Sequence, residues 1–146
     1  MWQQIVTLQQ ITTKGDLEMA KTRVFISFDY DNDARQKDLL VGQSKHPDTP
    51  FDFADWSSKE HLTGDWKAKI KAKLAYVDVV CVLCGKNMAT ATGVAHEIQI
   101  AQEIGKPYFL LAAYPEGSTK PVTAKSSEKL YNWTWENLKK LVGGGR

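Results

Sequence analysis

"VDVVCVLCGKNMATATGVAHEIQIAQEIGKPYFLLAAY", from Val77 to Tyr114, decides the fold. Its first part, "VDVVCVLCG" (Val77 to Gly85), is a compact apolar run without polar alternation, which predicts a strand buried on both faces. "ATGVAHEIQIAQEIGKP" (Ala91 to Pro107) has a helical period instead. At about 100° per residue, Val94, Ile98 and Ala101 mark the centre of one buried face and Ile104 its flank, while His96 and Glu103 point the other way. Gly105 and Pro107 punctuate the end and start "KPYFLLAAY" (Lys106 to Tyr114), a second buried strand. Two such strands joined through a helix are the unit of a parallel sheet, because parallel neighbours need a crossover.

One residue breaks this pattern. Glu97 falls on the buried face, between Ala101 and Ile104, with Val94 a turn earlier. A buried carboxylate is costly unless a partner or a functional cleft rescues it. Periodicity leaves both readings open: a structural ion pair or wetted rim position, or a site.

The rest of the chain extends the same alternation. "TRVFISF" (Thr22 to Phe28) is a buried strand bounded by "DYDND". Asp33 to Val41 reads as a helix with Ala34, Leu39 and Leu40 facing inward. "KHPDTP" is loop, and "FDFADWSS" (Phe51 to Ser58) is a short strand and polar turn. "TGDWKAKIKAKLAYV" (Thr63 to Val77) is a helix whose stripe is Trp66, Ile70, Leu74 and Val77, with four lysines outside it as a solvated face. "PEGSTKPVTAKSS" is loop, and "LYNWTWENLKKLV" (Leu130 to Val142) closes the fold as a helix. Residues 1–20 are weakly patterned, an extension or poorly ordered arm in which Met19 is itself a candidate start. The domain spans 21–142, and 143–146 is a flexible tail. Strand and helix thus alternate four times, which predicts a flavodoxin-like three-layer α/β domain, its parallel sheet covered by helices on both faces. Ligands bind such sheets beyond the carboxyl ends of the strands. The segments to inspect are therefore "SFDYDND", "ADWSS", "CGKNMATATG" and "AYPEGS".

Composition narrows the function classes. The 146 residues suit one domain, at 42% hydrophobic and 25% charged. A net charge of +2 gives no argument for nucleic acid or an acidic membrane as partner. No apolar run approaches the roughly 20 residues of a membrane helix, and "MWQQIVTLQQITTKG" lacks the pattern of a secretory leader. A cytoplasmic protein is expected. Cys81 and Cys84 form a C-x-x-C, but residues three apart on a strand face opposite sides, and no second Cys/His pair has zinc-knuckle spacing. Two core cysteines and no metal site are expected.

Several chemistries fail on motif grounds. No G-x-x-x-x-G-K-[ST] occurs, nor a G-x-G-x-x-G after the first strand. A phosphoacceptor domain shares the topology, and Asp29 and Asp31 could form its acidic cluster, but the third strand ends in Leu83, Cys84 and Gly85 without the nucleophilic carboxylate. Serine hydrolase chemistry lacks its G-x-S-x-G elbow, and His46, His61 and His96 fall in loops or on a solvent face.

Five stretches in order, "RVFISFDYDND", "FDFADWSS", "IKAKLAYVDVVCVLCGKN", "GVAHEIQIAQEIGKPYFLL" and "WTWENLKKL", resemble the TIR-like family that includes the bacterial Thoeris anti-phage component ThsB. The resemblance covers roughly Arg23 to Val142. In catalytic members the essential glutamate follows the third-strand loop in a pattern like W-x-x-x-E, and the matching position is Glu97. Such domains cleave the nicotinamide–ribose bond of NAD, and many cyclise the ADP-ribose released. The resemblance therefore implies an NAD nucleosidase or ADP-ribosyl cyclase with NAD as substrate and no cofactor. It implies a companion effector reached through the diffusible product, and a homo-oligomer that completes pockets across subunits. For substrate binding it implies Ser27, Asp29, Asp55 and Ser57 as polar contacts. Phe28 and Trp56 are stacking rings under this reading and core residues under the plain one. The chain departs from the family before the helix, where Ala91, Thr92, Gly93 and Val94 replace the usual Ser and Trp. Two alternatives stand beside this reading: a non-catalytic interaction module, and a nucleoside deoxyribosyltransferase-like enzyme.

Overall fold

A computed structural model describes residues 21–58 and 64–146. The extension read over residues 1–20 lies outside the described residues, as does His61. The elements run β1 (Thr22–Phe28), α1 (Ala34–Gln43), β2 (Phe51–Trp56), α2 (Trp66–Tyr76), β3 (Val79–Cys84), a 3-10 turn (Met88–Thr90), α3 (Thr92–Ile104), β4 (Tyr108–Ala112), β5 (Leu130–Tyr131) and α4 (Trp135–Val142). The five strands form one sheet in the order 2-1-3-4-5, every neighbouring pair parallel. This is the flavodoxin-like order, whose strand sequence reverses between β1 and β3 and opens a crevice at their carboxyl ends.

The inner strands are apolar throughout because helices cover both faces. All six residues of β3 are buried, as are Val24 to Phe28 of β1. At the edge, β2 instead alternates Phe51 in, Asp52 out and Phe53 in. Leu40 of α1 and Leu138 and Leu141 of α4 pack on Val24, Ile26, Cys81, Leu83 and Leu111. On the opposite face, Leu74 of α2 and Val94, Ile98 and Ala101 of α3 pack on Phe25, Val80, Val82, Cys84 and Leu110. Cys81 and Cys84 thus belong to opposite layers, both free and buried. Burial pushes both thiols up, that of Cys84 to about 12. Of the lysines on α2, Lys67 and Lys71 reach the exposed Glu103 of α3 at 3.2 and 4.0 Å.

Three sequence expectations need correction. Leu39 is 55% exposed whereas Leu40 is fully buried. Consecutive helical residues lie about 100° apart, and Ala34, Leu40 and Val41 set the inward side of α1. "LYNWTWENLKKLV" is not one helix: Leu130 and Tyr131 pair with Leu110 and Leu111 as β5. The helix α4 begins at Trp135, where Thr134 Oγ1 accepts the Asn137 N–H at 3.0 Å and fixes the start. On α3, Ile104 is 38% exposed and Ile100 is buried in its place. The chain turns away there at Gly105, whose φ of 71° is the left-handed conformation a helix end favours in glycine.

The carboxyl end of β3 is held by a close approach. Asp33 is buried over Gly85, so a Cβ at position 85 would lie 1.9 Å from Asp33 Oδ2. Asp33 Oδ1 accepts from the Tyr114 hydroxyl at 2.8 Å, and Oδ2 has no partner among the described residues. Burial raises the pKa of this carboxyl, the Tyr114 bond opposes the rise, and neighbouring Asp29 adds to it. Gly85→Ala is expected to cost about 1–3 kcal/mol, the usual range for overpacking. The urea midpoint should recover much of that loss when Asp33→Ala is combined with it, as the strain then has no second party.

Candidate active site

Glu97 sits in the second turn of α3 and is only 5% exposed. Its neighbours on the buried face, Val94, Ile98 and Ala101, are apolar. Two hydroxyls compensate it: Ser27 Oγ on β1 and Ser57 Oγ beyond β2 each donate to Glu97 Oε1 at 2.6 Å. Ser57 also accepts the Phe28 N–H at 3.1 Å, which leaves its hydroxyl hydrogen for the carboxylate.

A bulge between β1 and β2 makes this possible. Val24 pairs with Phe53, but Phe25 pairs with Asp55, so Ala54 is the extra residue. In a regular strand Phe53 and Trp56, three apart, would face opposite layers. Here both pack into the α1/α4 layer. The inserted residue reverses the facing of everything after it, and Ser57 arrives on the same side as Ser27.

Burial raises the Glu97 carboxyl from 4.5 to about 7. The bonds from Ser27 and Ser57 and the nearby Lys73 pull it down, and Asp55 pushes it up. Desolvation outweighs two hydrogen bonds, and the group sits where both protonation states are populated near neutrality.

A cleft of about 230 Å³ opens beside this carboxyl. Its walls are Phe28 at the end of β1 with Asp29, Tyr30 and Asp31 after it, Ser57 and Ser58 after β2, and the stretch Thr90 to Val94 at the start of α3. This is the ligand edge of the sheet, between the ends of β1 and β2 and the start of α3. A Cβ on Gly93, the second residue of α3, would meet nothing within 4 Å, so open space remains there. A larger groove of about 620 Å³ lies between the end of α1 and the start of α4, beside Gln43, His46 and Trp135. No buried titratable group lines it, and the smaller cleft is the better candidate.

The expected site residues divide. Ser27, Ser57 and Glu97 are joined by hydrogen bonds. Asp29 lines the cleft, with Oδ2 accepting from Asn32 Nδ2 at 2.7 Å. Asp55 is half-buried and accepts its neighbour's Trp56 N–H at 2.8 Å. Of the two aromatic residues, Phe28 lines the cleft and Trp56 does not. Phe28 is 2% exposed in the α1/α4 layer. Trp56 packs against the same layer with Lys37 Nζ 4.7 Å above its ring. The ring exposed at the cleft is Tyr30, which the residue-by-residue reading did not single out although it lies in "SFDYDND". His96 packs against Trp66, ring centroids 4.8 Å apart and tilted by 58°, rather than lining the cleft. Among the described residues no group of three His, Cys, Asp or Glu is placed to hold a metal ion, and no helix is long and apolar enough to cross a membrane.

Fold and site define a flavodoxin-like α/β domain with a buried carboxyl beside a cleft at the ligand edge of its sheet. The family described as Thoeris protein ThsB, TIR-like domain, matches residues 25–120, and the chain belongs to that family. The match takes in both serines and Glu97 and ends before β5 and α4. No curated protein matches the chain.

The raised pKa sets a pH dependence of stability. A carboxyl whose folded value lies above its unfolded one favours folding below the unfolded pKa, and that contribution is lost as pH rises through the folded value. The displacement from 4.5 to about 7 is equivalent to about 3 kcal/mol. Denaturant titrations at pH 4 and pH 8 should therefore show a drop of about that size in the wild type that is missing from Glu97→Gln. Equal pH dependence in the two proteins would refute the assignment.

Proposed function

We propose that the chain is an NAD-cleaving enzyme of anti-phage defence, releasing nicotinamide and forming a cyclic ADP-ribose signal for a companion effector. The observation that carries this reading is one buried carboxylate, braced by two hydroxyls, beside a cleft at the ligand edge of the sheet. Membership of the Thoeris ThsB TIR-like family supports the biological setting.

The chemistry needs little more than that carboxylate. As the bond between the nicotinamide nitrogen and ribose C1′ breaks, its electron pair leaves with nicotinamide, which becomes neutral. Positive charge develops on the ribose as an oxocarbenium-like centre, and an ionised Glu97 stabilises it. A nucleophilic group of the same ADP-ribose then bonds to C1′ and closes the ring, and a proton is released where that group is a hydroxyl. Water in its place gives linear ADP-ribose. At about 230 Å³ the cleft falls below the roughly 300–1,000 Å³ of pockets that enclose a drug-sized ligand. It suits the nicotinamide–ribose end of NAD, with the remainder over the rim near Tyr30.

Purified protein incubated with NAD, with and without infected-cell lysate, should release nicotinamide on chromatography. Glu97→Gln should lower the rate by roughly 10²–10³-fold, the effect of removing one preorganised electrostatic group. Because the ionised form acts, the wild-type rate should fall as pH drops through about 7. A wild-type protein inert in both conditions argues against the reading.

A further inference from the structure

Both hydrogen bonds to Glu97 end on the same oxygen. Oε1 accepts from Ser27 Oγ and Ser57 Oγ at 2.6 Å each, and among the described residues no donor reaches Oε2. Bonds this short are typical of hydroxyls donating to an ionised carboxylate. The donor directions are themselves constrained. Ser57 Oγ receives the Phe28 N–H, and its other acceptor, the Ile26 carbonyl, is 3.4 Å away. Ser27 is fully buried, with Glu97 as its partner. A carboxylate oxygen has two lone pairs, and two donors occupy both on Oε1.

We infer that Ser27 and Ser57 are positioning residues that hold Glu97 through Oε1 and reserve Oε2 for the substrate, so that a proton on this carboxyl resides on Oε2. In the ionised form Oε2 is an acceptor for a ribose hydroxyl and the charge nearest the reacting sugar. In the neutral form it is an O–H donor pointing at the same place. The two serines favour the ionised form, because each donates to it. Among the described residues, the other charged groups facing Glu97 are Asp55 of β2 and Lys73 of α2, with Asp29 and Asp31 in the cleft wall beyond β1. Replacing a serine leaves all four in place, which separates hydrogen bonding from their electrostatics. The catalytic consequence rests on the NAD-cleaving reading, whereas the titration of Glu97 does not.

The test is the titration of the Glu97 side-chain carbon in protein labelled with ¹³C-glutamate, without NAD, the resonance being assigned by its loss in Glu97→Gln. Ser27→Ala and Ser57→Ala should each raise the midpoint by about one pH unit, as expected on losing a hydrogen bond to a charged group. Ser57→Thr keeps the hydroxyl and should titrate near the wild type. If an alanine variant does not fold, Ser57→Cys, a weaker donor, should give a smaller rise. The acid limb of nicotinamide release should move with the midpoint, with KM for NAD little altered. Midpoints unchanged in the alanine variants overturn the inference, as does an acid limb that stays put while the midpoint moves. Midpoints that move in a protein without NAD turnover sustain the positioning role and reject the NAD-cleaving reading alone.

Discussion

Two serine hydroxyls bonded to one oxygen of Glu97, inside an otherwise apolar interface, are the interaction on which the site depends. Val94, Ile98 and Ala101 place the carboxylate in the layer between α3 and the sheet, where an uncompensated charge would cost several kcal/mol. The compensation comes from far along the chain, 70 residues away for Ser27 and 40 for Ser57. Setting β1 beside β2 and packing α3 against β1 brings these three together. It remains incomplete, as burial still outweighs the hydrogen bonds. The result is a carboxyl poised between its two forms beside a cleft.

Much of this was legible in the residues. The continuous apolar runs of β1, β3 and β4 announce strands buried on both faces, and the helical period of α3 exposes Glu97 as the residue out of place. From those two facts follow a parallel sheet, its ligand edge, and a carboxylate near it. What stayed hidden was mostly geometry that side-chain identity does not encode. "FDFADWSS" carries no mark that Ala54 is a bulge, and without the bulge Trp56 would face the site and Ser57 would turn from it. The expectation of aromatic walls failed for that reason at Trp56. Phe28 lines the cleft but also packs into the α1/α4 layer, since the next position after Ser27 on a strand faces the other way. The short strand β5 escaped because two apolar residues fit the start of a helix as well as an edge strand, and only the Thr134 cap separates them. Leu39 and Leu40 are equally apolar, and the packing of α1 chooses between them.

The environment of Glu97 also separates fold from function in this architecture. A flavodoxin-like sheet offers a crevice at its switch point whatever chemistry it hosts. What distinguishes this chain is the content of the crevice: no phosphate loop, no carboxylate after β3, and Gly85 covered by Asp33. A dissociative sugar reaction asks for one negative charge at the right distance and shelter from water, which a single braced glutamate can supply. Open space lies beside Gly93 in the lining of the cleft, and Tyr30 is the exposed ring there.

In the proposed reaction the substrate's scissile ribose lies against Glu97. A crystal structure of Glu97→Gln with NAD bound tests it most directly. The nicotinamide ribose should lie in the cleft between the ends of β1 and β2 and the start of α3, its hydroxyls within about 3 Å of the side chain at position 97. NAD seated in the groove beside Trp135, or bound elsewhere with the cleft at position 97 empty, would contradict it.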